Sequence, residues 1–138
     1  FLAGVQRTVR IDWDSGVMAK VLIVEDDPSV RNFTARALTA AGHRIETAED
    51  GLEGLGKIEE AKGAFDLVLS DIRMPAMDGI EMARAASNAF PQLRLLLMTG
   101  FADQRERTAE LEGTVTGVVD KPFTLAEIRA RVGQALAA

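Results

Sequence analysis

The chain has 138 residues, 47% of them hydrophobic, and a formal net charge of -5. That length suits one domain, and that apolar content can fill a core without disulfides or a structural metal. With no cysteine in the chain, disulfide frameworks, thiolate metal sites and cysteine nucleophiles are excluded, in agreement with a reducing compartment.

Acidic and basic side chains mix along most of the length, as on a solvated surface, with no basic block or aromatic–basic interleaving. Direct nucleic-acid binding is therefore not expected. No apolar run approaches the ~20 residues that cross a bilayer, so the expectation is a soluble, cytoplasmic protein without a membrane partner. Residues 1–17, FLAGVQRTVRIDWDSGV, have no clean period and no secretory-signal core, and the first methionine is Met18. They read as an extension, either non-native or a native arm that packs Trp13 or Ile11 on the domain, which is expected over 18–138.

Lys20–Val24 (KVLIV) is a continuous aliphatic run, the pattern of a parallel strand covered on both faces. It ends in Glu25-Asp26-Asp27-Pro28, with Ser29 placed for an N-cap or first helical turn. Val30, Phe33, Ala37, Leu38 and Ala41 recur at helical spacing up to the stop at Gly42. Arg44–Ala48 alternates like an exposed strand. A helix over 50–62 carries Leu52, Leu55 and Ile58 on one stripe, although Gly51, Gly54 and Gly56 make it dependent on packing.

A third strand over 66–70 leads into Asp71, and the loop IRMPAMDG into a helix over 80–88. A fourth strand over 94–98 ends at Thr99-Gly100, followed by a polar helix over 104–111. A fifth strand over 115–119 runs into Asp120-Lys121-Pro122-Phe123. Thr124 caps a final helix with Leu125, Ile128, Val132 and Leu136 as its buried stripe. Strands alternating with helices in this way imply an α/β fold, a doubly wound five-stranded parallel sheet.

Ligands of open α/β sheets bind beyond the carboxyl ends of the strands. Four of the five expected strands end in a chemically useful side chain: Glu25 and Asp26, Asp71, Thr99, and Lys121. Converging carboxylates repel each other unless a cation is present, and hard oxygen ligands suit Mg²⁺. Asp71, at the end of the central strand, is the candidate nucleophile toward phosphorus. Lys121 offers a positive charge and Thr99 a hydroxyl donor to the phosphoryl oxygens. The single histidine, His43, reads as a surface or strand-edge residue and not as a metal ligand. Taken alone, Asp26 and Asp27 also read as an acidic helix N-terminus.

VLIVEDD, FDLVLSDIRMPAMDG, LLLMTG and VVDKPF, in this order, resemble the receiver domain of bacterial two-component response regulators. The likeness covers 18–138 and implies the CheY-like fold, with strand order 2-1-3-4-5. It implies an acidic metal pair at Glu25 and Asp26, a phosphoacceptor at Asp71, and a further Mg²⁺ ligand in the Arg73 backbone carbonyl. Thr99 would be the switch hydroxyl, Lys121 would precede a cis-like bond to Pro122, and Gly79 would be a loop glycine that no side chain can replace. The implied partners are a sensor histidine kinase or phosphotransfer protein, and a downstream protein at the face of the fourth helix, fifth strand and fifth helix.

Receivers often place Tyr or Phe where this chain has Val118, so the read-out is expected to use another group, with Phe101 as the candidate. The segment LLMTGFAD…KPF is also similar to CpdR-like single-domain regulators, which control regulated proteolysis. A receiver cut from a longer regulator or hybrid kinase, and an unphosphorylated docking module, are the alternatives. Haloacid-dehalogenase-type phosphotransferases require a second aspartate two residues after the first, where this chain has Arg73. The reading is therefore a signalling protein that promotes only its own phosphorylation and dephosphorylation.

Overall fold

The computed structural model describes residues 19–100, 104–109, 111 and 113–137. The expected extension with Ile11 and Trp13, Met18 at the expected domain boundary, and Phe101 lie outside the described residues. The elements run β1 Lys20–Val24, α1 Pro28–Ala40, β2 Arg44–Ala48, α2 Gly51–Glu60, β3 Leu67–Asp71, α3 Gly79–Ala89, β4 Leu95–Thr99, α4 Gln104–Ala109, β5 Gly117–Asp120 and α5 Leu125–Ala137. The strands form one parallel sheet in the order β2-β1-β3-β4-β5.

The continuous aliphatic strands split between two core layers, because successive side chains of a strand point to opposite faces. Val21 and Ile23 pack with Leu67, Leu69, Leu96 and Met98 under Ile128 and Val132 of α5. Leu22 and Val24 pack with Val68, Leu95 and Leu97 under Ile58 of α2 and Ile80 and Met82 of α3. All five residues of β3 and of β4 are buried. The strand that delivers Asp71 is thus held from both faces and both edges.

Helix starts follow local chemistry. Asp27 is the N-cap of α1, accepting from Ser29 N at 2.8 Å and Val30 N at 3.3 Å, with Pro28 in the first turn. Ser29 is therefore a first-turn residue. Gly42 stops α1 with a φ of 99°, a conformation that side chains disfavour. Asp50 caps α2 through Glu53 N at 2.8 Å.

Two expected core positions, and the surface reading of His43, are corrected. In α2 the core face is Gly51, Gly54 and Ile58, and Leu52 is 56% exposed. The glycines let the helix approach closely: a Cβ on Gly54 would lie 2.9 Å from Val24 Cγ2 and 3.0 Å from Met82 Sδ. In α5, Leu125 is 44% exposed. The first turn there is fixed by Thr124 and Glu127, each accepting the other's amide at 2.9–3.0 Å, and the buried stripe is Ile128, Val132, Ala135 and Leu136. His43 is only 8% exposed and not on the surface. Its Nδ1 accepts the Ala19 N–H at 3.2 Å, and burial lowers its pKa, which keeps the ring neutral for that role.

Boundaries moved at β5 and α4. A turn in which Thr114 N and Val115 N both donate to Leu111 O replaces the expected start of the strand, so β5 begins at Gly117. In α1, Phe33 is exposed and its ring lies 6.4 Å from that of Phe123, while Thr34, Ala37 and Leu38 face the core.

The glycine-faced packing of α2 separates two leucine-sized side chains that the periodicity pairs. Leu52→Ala is expected to change unfolding free energy by less than ~0.5 kcal/mol, and Ile58→Ala to cost about 2–5 kcal/mol, as urea denaturation would measure.

Candidate functional site

The carboxyl ends of β1, β3, β4 and β5 meet at one rim of the sheet. Glu25 follows β1 directly and is fully buried, held in place from both sides of its backbone. Its amide donates to Ala48 O at 3.0 Å, and its carbonyl accepts from Arg31 Nη1 at 2.8 Å. Asp26 beside it is exposed. Asp71 closes β3 and is buried. Its carbonyl accepts from Ser70 Oγ at 2.9 Å, and the next amide, Ile72 N, bonds Met98 O on β4 at 3.1 Å.

Glu25, Asp26 and Asp71 each place a carboxylate oxygen within 4.8 Å of the other two. Lys121 enters from β5, its Nζ 2.6 Å from Glu25 Oε1 and 3.2 Å from Asp71 Oδ1. Its backbone is tied to the neighbouring strand by Lys121 N to Thr99 O at 2.8 Å, and the Lys121–Pro122 bond is cis, as the resemblance implied. Thr99 ends β4, is buried, and stands in register with Asp120. The structure thus brings Glu25, Asp26, Asp71 and Lys121 into one cluster with Thr99 on the adjoining strand end. Arg73 lies two residues past Asp71 on an exposed stretch of the loop.

The electrostatics reflect that crowding. Burial pushes the Glu25 carboxyl up to about 7, the nearby Asp71 charge adds to the rise, and the Lys121 hydrogen bond opposes it. Lys121 loses solvation too, but its bonds and charge attraction to Glu25 and Asp71 outweigh that loss and hold its pKa above the ordinary lysine value. Three carboxylate oxygens gathered within 4.8 Å of one another, all hard ligands, fit a hard divalent cation.

The loop after Asp71 is anchored at Gly79, whose amide donates to Ile72 O at 2.8 Å. A Cβ there would sit 2.1 Å from the Asp71 carbonyl oxygen, so only glycine allows α3 to start against the end of β3. Asp78 caps α3 in a reciprocal box with Glu81. This D-x-x-E spacing is visible in the sequence; the roles of Arg31 and Ser70 carry no sequence signal.

The response regulator receiver domain family matches residues 21–133. The chain belongs to the receiver domain family. It is 35% identical over 111 residues to the response regulator receiver protein CpdR of Brucella abortus, spanning 80% of this chain and 91% of that protein. It is 31% identical over 135 residues to the sensor kinase CckA of the same organism, 98% of this chain but 14% of the kinase. The response regulator TrrA of Thermotoga maritima, solved with Mg²⁺ and BeF, superposes with a TM-score of 0.77 at 30% identity, over 86% of this chain and 99% of that one. The five-stranded order and the acidic cluster of this receiver agree with that membership. Among the described residues, no helix is long and apolar enough to cross a membrane.

Two outcomes follow. The folded Glu25 pKa is raised above its unfolded value, so its contribution to stability is full below pH 4.5 and is lost as pH rises through about 7. The metal-free receiver should lose stability over that window, Mg²⁺ should restore it most strongly at the upper end, and Glu25→Gln should flatten the profile; melting temperature against pH, with and without Mg²⁺, measures this. Gly79→Ala should destabilise the fold by at least ~2 kcal/mol, read by urea denaturation.

Proposed function

We propose that this receiver is a phosphoacceptor switch in which Asp71 takes a phosphoryl group from the phosphohistidine of a histidine kinase or phosphotransfer protein. The observation that carries the reading is the Asp71 carboxylate, placed at the end of a fully buried strand with Lys121 at 3.2 Å and two further carboxylates in reach. A carboxylate oxygen of Asp71 attacks phosphorus; the new P–O bond forms as the P–N bond breaks, and the imidazole departs with the electron pair. Lys121 already holds an Asp71 oxygen and can follow the charge onto the phosphoryl oxygens, and the Thr99 hydroxyl is a donor to them.

Glu25, Asp26, Asp71 and the Arg73 carbonyl are the groups that would hold Mg²⁺, which when bound offsets the negative charge gathered on the phosphoryl oxygens. The Mg²⁺ named in the TrrA structure supports that choice of cation. The receiver turns over no external substrate; its product is its own altered surface. We place the downstream protein contact at α4, β5 and α5, where Thr99 and Lys121 connect the site to the outside. The CpdR likeness, over nearly the whole of that protein, supports a single-domain regulator. The CckA likeness, over a small part of a kinase, supports the second form, a receiver belonging to a longer protein.

Incubation with acetyl phosphate and Mg²⁺ should add one phosphoryl group to the intact mass, removable by hydroxylamine. Asp71→Asn should abolish the adduct and Lys121→Ala should leave a reduced yield. An undiminished adduct on Asp71→Asn would refute the assignment.

A further inference from the structure

The ion pair between Arg107 and Asp78 joins the acceptor loop to α4. Arg107 Nη2 lies 2.6 Å from Asp78 Oδ2. The other oxygen of the same carboxylate, Oδ1, accepts from Glu81 N at 2.9 Å, and Glu81 Oε1 accepts from Asp78 N at 3.3 Å. Arg107 and the Glu81 amide hold the Asp78 carboxyl below its ordinary pKa, against the effect of its partial burial. Asp78 is therefore fixed on one side as the α3 cap and on the other as the anchor of α4.

Asp78 is also in close mechanical connection with the acceptor. The next residue, Gly79, bonds Ile72 O at 2.8 Å and packs against the Asp71 carbonyl with no room for a side chain. A shift of the backbone at Asp71 or Ile72 must move Gly79, and with it the α3 cap. At the other end, α4 spans only Gln104–Ala109, and Thr108, next to Arg107, is buried. Val118 of β5 pairs with Leu97 and packs on the apolar layer that holds Leu111 and Val115. An aliphatic side chain in that place has no polar end with which to exchange one hydrogen-bond partner for another.

We propose that the Asp78–Arg107 pair is the coupling through which occupation of Asp71 is felt at α4. The inference rests on the phosphoacceptor reading and adds the residues that transmit the signal. A charge-assisted contact with one end on the capped start of α3 and the other on α4 makes a displacement of the loop after Asp71 felt at α4. Since the pair is partly exposed, its strength is that of a modest ion pair, which suits a coupling between two states of similar free energy.

The test follows hydrogen exchange of the α4 amides in the intact chain, with Mg²⁺ and beryllofluoride as the phosphoryl mimic and ¹⁹F NMR to measure its uptake. Asp78→Asn keeps a good capping residue while removing the charge, so α3 amides should be unchanged; Arg107→Gln removes the charge from the other side. In both variants the α4 amides of the free chain should exchange about two- to fivefold faster. The α4 response to beryllofluoride seen in the parent should be lost, while beryllofluoride affinity shifts by no more than the same few-fold, as reciprocity requires. Arg107→Lys should recover part of the response. A response of parental size in both charge-removing variants, or a parent that binds beryllofluoride without any change at α4, overturns the coupling alone. A parent that takes up no beryllofluoride overturns the phosphoacceptor reading and the coupling with it.

Discussion

A carboxylate without access to solvent, Glu25, sits at the rim of this sheet within contact of a second buried carboxylate system and one ammonium group. Everything around the site manages the cost of that placement. Burial of charge is unfavourable unless it is paired and hydrogen-bonded, and here Lys121 reaches both Glu25 and Asp71 from a strand on the far side of the sheet. The pairing is possible only because β1 and β3 are neighbours and β5 ends level with β4, locked by the bond from Lys121 N to Thr99 O.

Rigidity and freedom are divided along the chain accordingly. The strand that presents Asp71 is buried throughout, its end is bonded to β4, and α3 is pressed against its carbonyl through Gly79. The second helix packs by glycines against Val24 and Met82, which brings its backbone close to the acidic end of β1. By contrast α4 spans Gln104–Ala109, and its Arg107 pairs with Asp78 in the loop after β3.

Much of the site is legible in the sequence. The residues that end β1, β3, β4 and β5 could be named because a parallel strand buried on both faces announces itself as a continuous apolar run, and the first polar residue after it must lie at the sheet's rim. What misled was helical periodicity. Leu52 and Leu125 have the right spacing for a core stripe, yet α2 packs by its glycines and α5 begins its burial one turn later. His43 reads as an edge residue because its strand is an edge; its burial comes from the start of β1, where the Ala19 amide needs an acceptor.

By itself, the sequence determined the alternation of strands and helices and the identity of the acidic, hydroxyl and lysine side chains at the strand ends, since each depends on residues adjacent in the chain. Tertiary structure decided which helix faces are buried, that Arg31 braces Glu25, that Lys121 bridges two carboxylates 96 and 50 residues away, and that Arg107 meets Asp78 across 29 residues. These contacts join segments that share no local pattern. Their partners are selected by how closely two backbones approach and by which charges are left without water, and both are properties of the assembled fold.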